Sequence, residues 1–108
     1  MQEDLLKIIN NYGVMAQLKY FQSEVFELNE AIITMRLEKW NLEGKSPEYV
    51  EPILNGYRLH IAEEIADVMV VLEQFKLYYG ISEKEITNIF WNKVARTLER
   101  IESGYYDK

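Results

Sequence analysis

The sequence predicts an all-α fold, and three observations carry that expectation. Apolar residues recur at i, i+3, i+4 and i+7 along almost the whole chain. Runs that alternate as a strand would are few. Only two prolines and five glycines interrupt 108 residues. A chain of this length can build one compact domain but not two with separate cores, so residues 1–108 read as a single domain. One short and three long helices are expected, and an antiparallel bundle is the economical packing for elements joined by connections this short.

The first helix runs from Gln2 to Asn11, with Leu5, Leu6, Ile8 and Ile9 forming its apolar side and Gly13 supplying the stop. A longer helix follows from Val14 to about Leu42. Phe21, Val25, Leu28, Ile32 and Met35 form its core stripe, with Glu24, Glu27 and Ala31 on the strip beside it. Ser46 and Pro47 suit the N-cap and first position of a short helical turn, which Pro52 and Asn55-Gly56 should end or kink. The third main helix then spans about Tyr57 to Tyr79, with Gly80 as its cap. Ser82 and Glu85 make a capping-box pattern for the last helix, whose buried side should be Ile86, Ile89, Phe90, Val94, Leu98 and Ile101.

A net charge of −6 argues against a surface that coats nucleic acid, which would need a basic face. The absence of cysteine excludes a disulfide framework, a thiolate metal site and a cysteine nucleophile. Glu3 and Asp4 stand where a signal peptide would be positive, and no apolar run reaches membrane-spanning length, so no membrane association and a cytoplasmic location are expected.

The chain is organised around LHIAEEIADVMVVLEQF, from Leu59 to Phe75. Ile61, Ala62, Ile65, Ala66, Val68, Met69, Val70, Val71 and Leu72 surround Glu64 and Asp67, and a helix this apolar should lie inside the protein. A buried carboxylate needs a proton, a hydrogen-bond partner or a cation. Two of them at i and i+3 point either to a divalent metal or to buried basic partners or a solvent channel. Glu24 and Glu27 repeat the i, i+3 spacing on the second helix. Should the two helices pack side by side, four carboxylates converge, and hard oxygen ligands in that number suit Mg²⁺ or Mn²⁺ better than zinc.

A di-iron bundle would require Glu-x-x-His on two helices. The single histidine, His60, has Tyr57 at the required position; it shares a face with Glu64 and Asp67 and suits packing or support of a ligand better than ligation. On the last helix Asn92, Lys93, Arg96 and Arg100 form a polar and basic strip, which either pairs with surface glutamates such as Glu99 or meets phosphate oxygens.

The segments SEVFELNEAI, EEIADVMVVL and NKVARTLERIESGYY, within roughly Gln17 to Tyr106, resemble the MazG-like all-α nucleoside triphosphate pyrophosphatases, a group related to dimeric dUTPases and phosphoribosyl-ATP pyrophosphatase. The resemblance implies an Mg²⁺-dependent enzyme, with Mn²⁺ as an alternative ion, that cuts a nucleoside triphosphate between its α and β phosphates. It implies Glu24, Glu27, Glu64 and Asp67 as metal ligands and catalytic residues, and Asn92, Lys93 and Arg96 as phosphate contacts. Ser23 stands where many members carry a further Glu. The resemblance also implies a homo-oligomer, dimer or tetramer, which the broad apolar face from Ile61 to Leu72 independently suggests.

Tyr20, Trp40, Tyr57 and Trp91 are candidates to stack on a base, with Gln17 as a hydrogen-bonding partner, although core packing serves each aromatic equally well. Trp40, Tyr49 and Tyr105 are candidates for a subunit interface. A non-catalytic interaction module and an inert nucleotide or metal sensor remain as alternatives from other classes.

Overall fold

A computed structural model describes residues 2–104 as four helices: α1 (Gln2–Tyr12), α2 (Val14–Asn41), α3 (Pro47–Tyr78) and α4 (Glu83–Glu102). Tyr105 lies outside the described residues. None of the helices is long and apolar enough to cross a membrane.

The expected break near Pro52 does not occur, because α3 continues through Pro52, Asn55 and Gly56. Pro52 falls only six residues into the helix and removes a single backbone donor. Half-buried Val50, Leu54, Tyr57 and Ile61 continue the inward face through this stretch. Arg58 also ties down the Asn55 side chain, its guanidinium donating to Oδ1 at 3.0 and 3.1 Å. Ser46 is the N-cap residue with Pro47 behind it, but its hydroxyl makes no capping bond.

The remaining boundaries follow local chemistry. Gly80 has φ +65°, which only glycine adopts cheaply, and the Gly80 and Ile81 amides donate to the Leu77 and Lys76 carbonyls, closing the end of α3. Ser82 and Glu85 form both halves of the capping box, at 3.1 Å from the Glu85 amide to Ser82 Oγ and 3.0 Å from the Ser82 amide to Glu85 Oε2.

α2 lies along α3, and α1 packs across both, chiefly on α3. Gln17 meets Gln74, Phe21 meets Phe75, and Ala31 and Thr34 share a pocket with Tyr57 and His60. The inward residues of α2 are Gln17, Phe21, Glu24, Leu28, Ala31 and Met35, alternating steps of four and three; those of α3 are Leu54, Tyr57, Ile61, Glu64, Val68, Val71 and Phe75. This is the spacing of a coiled-coil seam. It corrects the expected stripe of α2, because Glu24 and Ala31 are buried in the seam whereas Val25 and Ile32 face outward.

The seam carries an unusual polar layer. The Gln17 amide donates to Gln74 Oε1 at 2.9 Å, and both side chains are buried, which fixes the register of the two helices. Gln74→Ala is expected to destabilise the fold by roughly 1–3 kcal/mol, because it strands the Gln17 donor, whereas a Gln17→Leu/Gln74→Leu pair should cost far less. Chemical denaturation of the two variants would measure the difference.

Two expectations of burial are not met. α4 packs along none of the other helices among the described residues, meeting α3 through the Glu83–Lys76 ion pair at its first residue, so its apolar side lies open, with Ile89, Phe90, Leu98 and Ile101 more than half exposed. Ile65, Met69, Val70 and Leu72 of α3, expected inside, are also exposed. The Cα radius of gyration is 18.5 Å, against about 13 Å for a compact chain of this length. One chain has too few helices in contact to enclose its apolar surface. The buried hydrophobic residues are Ile9, Ala31, Leu42 and Val71.

Candidate metal centre

Burial of Glu24 and Glu64 follows directly from the seam. Each occupies a position where the 4-3 spacing demands an inward residue, and the apolar neighbours that hold the helices together carry the carboxylates in with them. Glu24, Glu27 and Glu64 each offer a carboxylate oxygen, and these oxygens lie within 4.8 Å of one another. Glu27 is exposed and closes the cluster from the solvent side. Asp67, also exposed, interacts with Glu24 as a hydrogen-bonding neighbour and as a like charge. Three of the four carboxylates expected from the sequence, Glu24, Glu27 and Glu64, thus cluster at the α2–α3 seam, with Asp67 beside Glu24.

Glu24 Oε2 and Glu64 Oε2 are buried and have no hydrogen-bond partner. Buried polar atoms are nearly always paired, so two orphaned acceptors in one small space require an explanation. Removal from water pushes the Glu24 carboxyl above the usual carboxylate range; the charges of Glu27 and Asp67 add to that rise, while a hydrogen bond from Tyr20 opposes it. Tyr20 is held above its ordinary value, first because its phenol donates to Glu24 and then through its own partial burial and the surrounding acids.

No Lys or Arg neutralises Glu24, Glu27 or Asp67 among the described residues. His60 Nε2 approaches Glu64 Oε1 at 3.8 Å, and Lys76 is engaged elsewhere, by Glu73 and Glu83. The reading of the acids as partners of buried basic residues therefore finds no support here. An all-oxygen donor set with two orphaned acceptors fits a hard divalent cation.

A pocket of about 310 Å³ adjoins the cluster, lined by Glu27, Glu30, Ala31, Thr34, Tyr57, His60 and Glu64. Of the candidate aromatics, Tyr57 lines this pocket and Tyr20 lies against Glu24. Trp40 lines a separate cleft of about 1020 Å³ with Arg36 and Lys39 that includes none of Glu24, Glu27, Glu64 and Asp67. Trp91 stacks edge-on against Phe90 of α4, and Gln17 is committed to Gln74. Glu30, though exposed, also lines the pocket.

Asn92, Lys93 and Arg96 are exposed on α4. Because α4 packs on no other helix, the single chain does not bring them to the carboxylates. Reading the 4-3 spacing in Gln17 to Met35 would have placed Glu24 in the seam from sequence; nothing in the sequence marked Thr34 as a pocket residue. No protein-family model, curated protein or solved structure matches this chain.

Proposed function

We propose that the chain is an Mg²⁺-dependent nucleoside triphosphate pyrophosphohydrolase of MazG-like type, releasing a nucleoside monophosphate and pyrophosphate. The observation that carries this reading is the pair of buried, unpartnered oxygens of Glu24 and Glu64 converging with Glu27 beside Asp67. An interaction module would gain nothing from acids in an apolar seam, where leucine packs at lower cost.

In this reading Glu24, Glu27, Glu64 and Asp67 hold the cation. A bound Mg²⁺ would neutralise triphosphate charge and lower the pKa of a coordinated water. Glu24 or Glu27 orients the attacking water and accepts its proton. Tyr20 steadies the Glu24 carboxylate through its phenolic hydrogen bond. The pocket bounded by Ala31, Thr34, Tyr57 and His60 has room for the nucleoside end. Lys93 and Arg96 stabilise charge on the leaving pyrophosphate, with Asn92 as a further phosphate contact.

The chain works in this reading as a homo-oligomer, a dimer or a tetramer, and α4 of one copy supplies the basic strip to the carboxylates of another. Its support is that, among the described residues, α4 packs along no other helix and no Lys or Arg pairs with Glu24, Glu27 or Asp67.

A panel of ribo- and deoxyribonucleoside triphosphates incubated with Mg²⁺, assayed for monophosphate and pyrophosphate, tests the activity. Binding without turnover across the panel would favour the inert sensor. Arg96→Ala is expected to reduce turnover while leaving Mg²⁺ affinity unchanged, since a guanidinium pairs with phosphate oxygens rather than with the cation. Equal turnover in the folded variant would remove Arg96 from the site.

A further inference from the structure

The residues flanking the α2–α3 seam divide into two sides of opposite chemistry. Tyr20, Glu27, Thr34, His60 and Asp67 each precede a seam residue of one set, namely Phe21, Leu28, Met35, Ile61 and Val68, and they form the carboxylate side. Leu18, Val25, Ile32, Ile65 and Leu72 each follow a residue of the other set, namely Gln17, Glu24, Ala31, Glu64 and Val71. Stepping one residue back from one set and one forward from the other reaches opposite flanks of a helix pair. Apart from Arg58, which follows Tyr57 in the same register, the second flank is an apolar ridge turned away from the carboxylates, and its five apolar members are 39–44% exposed.

We infer that this ridge is the surface on which a second copy of the chain docks, a contact that does not itself cover the carboxylate side. The inference rests on the oligomeric reading above and adds its location.

Surface area identifies a macromolecular occupant. The chain exposes 8786 Å² at a mass of 12.9 kDa, where a folded monomer of that mass exposes about 6300 Å². The excess of about 2500 Å², shared by α4 and the ridge, exceeds the roughly 800 Å² per partner of an ordinary stable interface and falls in the range of obligate homodimers.

Periodicity points to a second copy rather than an unrelated partner. Leu18, Val25 and Ile32 repeat every seven residues on α2, as Ile65 and Leu72 do on α3. A two-fold axis presents the same ridge to itself, so knobs and holes of one period meet their own kind.

Light scattering and cross-linking test the location. The unmodified protein should run at a multiple of 12.9 kDa, and Val25→Lys/Leu72→Lys should reduce the mass to that of one chain. Where that variant loses helix content, the cysteine-free background supplies a second measurement. Ile32→Cys or Ile65→Cys should give covalent dimers with a short bis-maleimide, and Thr34→Cys, on the carboxylate side, should not. A wild-type protein with the mass of one chain would overturn both the oligomer and its location. An oligomer that keeps its mass in the lysine variant, or cross-links through Thr34→Cys and not through the ridge, would overturn the location alone.

Discussion

Glu64→Gln and Asp67→Asn are each expected to lower pyrophosphohydrolase turnover by about a thousandfold, since Lewis-acid stabilisation by a bound cation is worth several kcal/mol and each 1.36 kcal/mol is a factor of ten. Both substitutions keep the shape of the side chain and remove its charge, so the loss should accompany weaker Mg²⁺ binding with no loss of helix content. Glu64 is the stronger test: its Oε2 is buried without a partner, whereas Asp67 is exposed. Steady-state kinetics across a Mg²⁺ titration, with circular dichroism on the same samples, would measure it. Unchanged turnover in both variants would remove the four-carboxylate site from the mechanism.

Much of this architecture was legible in the sequence because it depends on local rules. Ser82 and Glu85 announced a capping box, and Gly80 a helix end that needs positive φ, and both are present. The pairing of two i, i+3 acidic motifs was equally legible, since helical periodicity places such residues on one side of each helix whatever the tertiary packing. Pro52 misled because its local penalty of one lost donor is outweighed by the packing of Val50, Leu54 and Tyr57, which is not a local property. Val25 and Ile32 misled for a different reason. α2 has apolar residues on both sides of Glu24, so hydrophobicity alone does not say which side faces α3, and only the 4-3 register shared with α3 decides it. Isolation of α4 was illegible because its periodic apolar side is the same whether it packs within its own chain or on another.

The same carboxylates that would serve turnover should weaken the metal-free fold, and Glu24 gives this a definite sign. Its carboxyl titrates above the usual carboxylate range when folded, chiefly because it is withdrawn from water, with Glu27 and Asp67 adding repulsion and Tyr20 opposing through its hydrogen bond. The folded chain therefore holds that proton more tightly than the unfolded chain does. Its stabilising contribution is complete below the ordinary glutamate pKa of about 4.3 and is lost as pH rises from there through the raised value of Glu24, so raising the pH destabilises the metal-free protein. Glu24→Gln removes the charge and keeps the volume, and should raise the melting temperature of the metal-free protein at pH 7 by a few degrees, given about 4–8 °C per kcal/mol for a domain near this size. Mg²⁺ should reverse the order. At a hundred times its dissociation constant a ligand specific to the folded state adds about 2.7 kcal/mol, which the wild type gains and the variant largely forgoes. Calorimetric melting of both proteins at pH 5 and pH 7, with and without Mg²⁺, would follow the crossing. A Glu24→Gln protein less stable than wild type without metal, and stabilised by Mg²⁺ to the same degree, would show that Glu24 is a structural acid whose charge the fold requires.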